Sequence, residues 1–156
     1  MPVLLRSVRA DDEEFLFELF CQTMDEGLIS LVAAQRDAIL RLQFEAQIET
    51  YKAEFPRAEH QIIMLDDRKI GRVMVERTSA AHLGVDIALL RDYRNGGVGT
   101  MLIQKLLDEA ASAGKPFRIS VVKYNPAIHL YERLGFKTTG ETATHLYLEW
   151  TGPSKP

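Results

Sequence analysis

The sequence predicts a mixed α/β (α+β) fold, a sheet of about seven strands with helices on both faces. Three observations carry this expectation. Seven short runs have strand character, four stretches have helical spacing, and their order is strand, two helices, three strands, helix, strand, helix, two strands. That order leaves one strand–helix–strand unit, at 82–122, which should form a right-handed parallel crossover. With 156 residues the chain is most economically one domain over 1–151, ending in a frayed tail at 152–156.

Residues 3–9 read as the first strand. Asp11 or Asp12 caps a helix running to about Met24, with Glu13 and Glu14 favourable in its first turn. Asp25-Glu-Gly27 breaks it. A second helix spans about Ala33 to Phe55, with Leu40, Phe44, Gln47, Tyr51 and Phe55 on one stripe, and Pro56 ends it. Gln61–Leu65 and Ile70–Arg77 flank the polar turn Asp66-Asp-Arg-Lys69 as a hairpin. His82–Leu90 is the next strand. A helix follows, built on Val98, Leu102, Leu106 and Ala110, and it stops at Gly114-Lys-Pro116. Phe117–Val122 is a strand. A short helix from Asn125 to Leu134 is closed by Gly135, and Phe136–Glu141 with Thr144–Trp150 form a last pair of strands.

Composition narrows the function classes. A formal net charge of −3 argues against a nucleic-acid binder, which should carry a basic stripe. No apolar run approaches the roughly 18 residues that span a bilayer, and Met1-Pro-Val-Leu-Leu-Arg lacks the pattern of a secretory signal. The single cysteine, Cys21, excludes an internal disulfide. Its apolar neighbours Leu16, Leu19 and Phe20 suggest a buried, inert thiol. His60, His82, His129 and His145 are scattered, so no metal site is expected. A reducing, cytoplasmic setting fits.

The informative stretch is Val85 to Thr100, an apolar run, then a glycine-rich turn, then a helix start. Glycines at 96, 97 and 99 let backbone approach a ligand closely. The next amides begin a helix, where N–H groups lack partners and the dipole favours negative charge. Together these make a seat for a phosphate-bearing ligand. A P-loop is excluded, because no Lys-Ser or Lys-Thr pair follows the glycines. A dinucleotide fingerprint is excluded too, since position 102 is Leu instead of a third small residue. The turn instead fits Arg-x-x-Gly-x-Gly, with Arg94, Gly97 and Gly99. A second constellation is Asn125-Pro-Ala-Ile-His-Leu-Tyr-Glu-Arg-Leu-Gly-Phe136. By itself it is equally a capped helix with a core tyrosine.

Taken together, Asp86-Ile-Ala-Leu-Leu-Arg-Asp-Tyr-Arg-Asn-Gly-Gly-Val-Gly-Thr100 and Asn125-x5-Tyr131-x3-Gly135-Phe136 resemble the GNAT superfamily of acyl-CoA-dependent N-acyltransferases. The resemblance covers most of the chain, though residues 10–60 match only in outline. It implies a mostly antiparallel sheet, splayed beside the strand at 82–90, and acetyl-CoA as co-substrate with no metal. The loop of Arg94, Asn95, Gly96, Gly97, Val98, Gly99 and Thr100 would then wrap the pyrophosphate of coenzyme A. Ile87, Ala88 and Leu89 would lend backbone groups to the pantetheine and the acyl carbonyl. Asn125 would contact the pantetheine arm, and Tyr131 would protonate the departing thiolate as general acid. Two departures stand out: Gly96 replaces a basic or amide side chain, and Arg91 replaces a proline. Gly96 should weaken coenzyme binding without abolishing it.

The implied chemistry is coherent. A backbone N–H at Leu89 can stabilise the oxyanion, and a phenol can donate to a thiolate of similar basicity. The acceptor's proton needs a base. Asp86 is the nearest acid to the reacting strand, though it also fits a polar residue alternating out of the sheet. Glu26, Glu76 and a water relay are alternatives. Acceptor recognition would fall to Asp25, Glu26, Gln43, Gln47, Tyr51 and His145. The expected acceptor is a small-molecule or peptide amine, with no nucleic-acid or membrane partner, and a homodimer stays open. The rival reading is a non-catalytic acyl-CoA-binding sensor or interaction module on the same fold. A third, a different phosphorylated ligand at the turn, is disfavoured by the missing Lys and third glycine.

Overall fold

The computed structural model describes residues 3–24 and 33–152. The elements in chain order are β1 (Val3–Ser7), α1 (Glu13–Met24), α2 (Ala33–Glu54), β2 (Glu59–Leu65), β3 (Arg68–Arg77), β4 (His82–Leu89), α3 (Val98–Ser112), β5 (Phe117–Val122), α4 (Ala127–Arg133), β6 (Lys137–Glu141) and β7 (His145–Trp150). Single 3-10 turns precede α1 and follow β4. The strands form one open seven-stranded sheet in the order β1-β2-β3-β4-β5-β7-β6. The mixed α/β class expected from the sequence is therefore observed, and the β4–β5 pair is parallel, as the crossover required. Among the described residues no helix is long and apolar enough to cross a membrane.

One turn differs from expectation. The hairpin between β2 and β3 closes on two residues, Asp66 and Asp67, with φ of 51° and 64°, so that β3 already starts at Arg68. Two consecutive left-handed residues match the twist of a tight hairpin, and aspartate tolerates that conformation better than most.

The chain divides into two compact units, Met1–Met74 with Asp86–Arg94, and Val75–Val85 with Asn95–Pro156. In the first, Leu16, Phe17 and Phe20 of α1 pack with Leu40 and Phe44 of α2 and with Ile62 of β2. The Phe44 ring lies 5.5 Å from both Phe17 and Phe20. Cys21 packs against this cluster, half-buried. Asp12, expected from the sequence as a cap of α1, bonds upstream of the helix instead. It is fully buried, accepts two hydrogen bonds of 2.9 Å from Arg6, meets Lys69 at 2.6 Å and takes the Arg9 N–H at 2.7 Å. These donors hold its carboxyl far below the usual carboxylate range, with the Arg6 hydrogen bonds as the main cause.

In the second unit, α3 buries Leu102, Ile103, Leu106, Leu107 and Ala110. Phe117, Ile119 and Val121 alternate inward along β5. Its antiparallel partner β7 runs in register from Phe117 opposite Trp150 to Val122 opposite His145. The β4–β5 ladder is much shorter. It joins only His82, Gly84 and the residue between them to Phe117–Ile119, and β4 continues beyond it to Leu89.

Candidate active site

Beyond Leu89 the chain makes a single 3-10 turn at Arg91–Tyr93 and then an exposed loop. Asn95 takes φ 61° and Gly97 takes φ 88°, both left-handed. Only glycine enters that region without strain, and asparagine does so more easily than other residues. Gly97 is the N-cap of α3, and among the described residues no side-chain hydrogen bond caps the helix. The first intrahelical bond is Met101 N–H to the Gly97 carbonyl at 3.0 Å. The amides of Val98, Gly99 and Thr100 therefore stand ahead of the helical ladder, at the positive end of the dipole. A Cβ added at Gly96 or Gly97 would meet nothing within 4 Å. Open space beside amides at a helix start suits an anion such as a phosphate oxygen.

The end of β4 is tied down from several sides. Leu90 donates its N–H to the Ile70 carbonyl of β3 at 2.8 Å. Successive amides of a strand point to opposite edges, so the Leu89 N–H is directed away from β3. The Leu89 carbonyl accepts the Arg94 Nε–H at 3.0 Å, and Gln22 of α1 accepts the Arg91 N–H at 2.6 Å. Gly71 of β3 lies against this stretch. A Cβ there would fall 2.2 Å from the Ala88 carbonyl oxygen and 3.1 Å from the Leu89 Cα. No side chain fits between the two strands at that point.

Directly before this stretch stands Asp86. Its Oδ2 forms an ion pair with Arg72 and accepts the Tyr51 hydroxyl at 3.3 Å. Arg72 also donates to Gln47 Oε1 at 2.7 Å. The Arg72 side chain is 6% exposed and that of Asp86 20%. Burial, aided by the negative charge of Asp86, pushes the Tyr51 phenol up from its ordinary value, so it remains a donor. Burial also pushes His60 of β2 down to about 4, with the Arg72 charge acting in the same direction. The His60 Nε2 is buried and has no hydrogen-bond partner among the described residues.

Two residues before α4, Asn125 accepts the Ala127 N–H on its Oδ1 at 2.9 Å, while Pro126 is the N-cap of the helix. Tyr131 is 7% exposed and packs edge-on against Phe136, with ring centroids 5.3 Å apart. The burial of Tyr131 matches the core role that the sequence left open for it.

A family model described as the acetyltransferase (GNAT) domain matches residues 56–138, just over half of the chain. This chain belongs to the GNAT acetyltransferase family. An N-alpha-acetyltransferase of Sulfurisphaera tokodaii is 38% identical over 68 residues, which are 42% of this chain and 40% of that protein. The match thus spans less than half the length of this curated relative. The GNAT fold extends over nearly the whole chain. The crystal structure of the PaiA N-acetyltransferase of Thermoplasma acidophilum, in complex with coenzyme A, aligns with a TM-score of 0.73. It covers 97% of this chain and 100% of its own at 15% identity. The ribosomal-protein-S18-alanine N-acetyltransferase of Escherichia coli aligns with a TM-score of 0.67, over 99% and 97% of the two chains, at 17% identity.

In this GNAT chain the first compact unit brings together Asp86, Ile87, Ala88, Leu89 and Arg94 with the α2 residues Gln47 and Tyr51. The second unit holds Asn95–Thr100, Asn125 and Tyr131. Gln47 and Tyr51, expected from the sequence to face an acceptor, spend their polar groups on Arg72 and Asp86. Gln43 is exposed on α2, Glu76 is half-buried on β3, and the His145 Nδ1 lies 2.7 Å from the Thr144 hydroxyl. Asp25 and Glu26 lie outside the described residues. Sequence reasoning missed Gly71, Arg72 and His60. Arg72 had left a signal, since an arginine inside the apolar run Ile70–Val75 demands a buried partner.

Proposed function

We propose that this protein transfers an acetyl group from acetyl-CoA to a primary amine by direct attack in a ternary complex. The observation that carries the reading is the uncapped start of α3, whose Gly97 opens onto empty space a few residues after the end of β4. That start supports Arg94–Thr100 as the pyrophosphate seat. The Leu89 N–H, directed away from β3, supports a backbone oxyanion donor. In the reaction the amine nitrogen attacks the thioester carbonyl carbon, the C–N bond forms and the C–S bond breaks. The Tyr131 hydroxyl gives its proton to the departing thiolate. The surplus proton of the amine goes to Asp86, Glu76 or Glu26, or to a water relay. Alignment of amine and thioester supplies much of the rate advantage. The names of the matched relatives favour peptide N-termini as the first acceptors to assay, and the single cysteine suits a cytoplasmic enzyme.

A non-catalytic acyl-CoA sensor is the second reading. It is favoured by the buried packing of Tyr131 and by the pairing of Asp86 with Arg72. Thiol release from acetyl-CoA over a panel of amines, polyamines, amino acids and peptide N-termini separates the two. Turnover that falls at least tenfold in Tyr131→Phe, with coenzyme affinity unchanged, supports the enzyme. Tight coenzyme binding without turnover supports the sensor. No heat of binding at millimolar acetyl-CoA refutes both.

A further inference from the structure

We propose that Arg72 and Asp86 form a positioning pair that holds the donor-binding end of β4, with Asp86 serving as a fixed anion instead of the proton acceptor. This inference rests on the acetyltransferase reading above. Arg72 is a buried cation in the otherwise apolar middle of β3, and such a charge is costly unless it is both paired and hydrogen-bonded. Both conditions are met. Asp86 supplies the opposite charge and Gln47 a second acceptor, while the Tyr51 hydroxyl adds a donor to the same carboxylate oxygen. The nearby imidazole of His60 is kept neutral by burial, so it brings no further charge at neutral pH. The cluster balances as it stands. A proton moved onto Asp86 would leave the guanidinium buried without its counter-ion, which opposes a role as general base.

The pair also lies where position matters. Asp86 is followed at once by Ile87, Ala88 and Leu89, the backbone stretch assigned to the pantetheine and the oxyanion. Through Arg72 its carboxylate is fastened to β3, and through Tyr51 to α2. The preceding residue of β3, Gly71, meets Ala88 and Leu89. Two successive β3 residues therefore set the same stretch, one by close approach and one by charge.

The test uses the full-length protein and the best amine from the acceptor panel. Arg72→Met and Asp86→Asn should each raise the KM for acetyl-CoA about tenfold. The double variant should be no worse than the poorer single one, because the two residues act as one unit. The acid limb of the pH–kcat/KM profile should stay in place in all three. Tyr51→Phe, which leaves the ion pair intact, should raise the donor KM two- to threefold. An acid limb that vanishes in Asp86→Asn but persists in Arg72→Met would make Asp86 the base and overturn the proposal. An unchanged donor KM in Asp86→Asn overturns it as well, and if Arg72→Met does not fold, Asp86→Asn and Tyr51→Phe decide. Failure of the wild-type protein to bind acetyl-CoA in calorimetry would instead remove the acetyltransferase reading itself.

Discussion

Replacing Gly71 with alanine probes the close approach of β3 to the end of β4. The new Cβ would sit 2.2 Å from the Ala88 carbonyl oxygen and 2.9 Å from the Leu89 Cδ2, where ordinary contact starts at 3.4 Å. The Leu89 side chain can rotate away, but the Ala88 carbonyl is backbone. The strands must therefore part by roughly 1 Å at this point, an overpacking that costs about 1–3 kcal/mol of stability. In the proposed reaction the same shift would move the Leu89 N–H relative to the thioester, and a displacement of about 1 Å can cost on the order of 100-fold in rate. Urea unfolding measures the first effect and kcat/KM for acetyl-CoA the second. Hydrogen exchange over residues 85–90 reports whether β4 loosens. A variant that loses 1–3 kcal/mol yet keeps kcat/KM within threefold would show that β4 absorbs the strain elsewhere, and the positioning argument would fail. A variant unchanged in both would mean that the strands do not approach so closely.

Three other substitutions test separate parts of the reasoning. Asp12→Ala strips the counter-ion from Arg6 and Lys69 and should cost about 3 kcal/mol at pH 7 by urea unfolding. Because the folded carboxyl titrates below its unfolded value of about 3.9, the wild type should lose this stabilisation as the pH falls below about 4. The variant should lack that loss, and equal acid sensitivity in both proteins would refute the assignment. For His60, the folded imidazole takes a proton at about pH 4 and the unfolded one at about 6.5. Stability should thus decline as the pH drops from 6.5 towards 4, and His60→Gln should flatten that slope. An NMR titration midpoint near 6.5 in the folded protein would contradict the burial argument. Gly97→Ala adds a side chain in open space at φ 88°, so its cost is the left-handed backbone alone, about 1–2 kcal/mol. Acetyl-CoA affinity should fall at least fivefold in calorimetry, and an unaltered affinity would dissociate the turn from the coenzyme.

The sequence by itself determined the element order, the parallel crossover and the glycine turn, because each depends on local chemistry. Alternation along Phe117–Val122 marks a strand, the stripe of Leu102, Leu106 and Ala110 marks a helix, and glycines at 96, 97 and 99 mark a turn, in which Gly97 takes a φ of 88° that other residues would strain. Pairing across the chain left weaker traces. That β7 lies between β5 and β6 depends on which edges find partners, and no local pattern records it. Gln47 and Tyr51 looked like an open polar stripe on α2, yet tertiary packing turned them onto Arg72 and Asp86. Asp12 read as a helix cap and proved to be a buried ion-pair centre, because Lys69 reaches it from a distant strand. Gly71 carried no signal at all, since its purpose is the space it leaves for the Ala88 carbonyl. Local sequence thus marks the turn that opens α3, the proposed seat of the coenzyme phosphates. Only long-range packing decides what holds the end of β4, because Gly71, Arg72 and Tyr51 reach it from elements far apart in the chain.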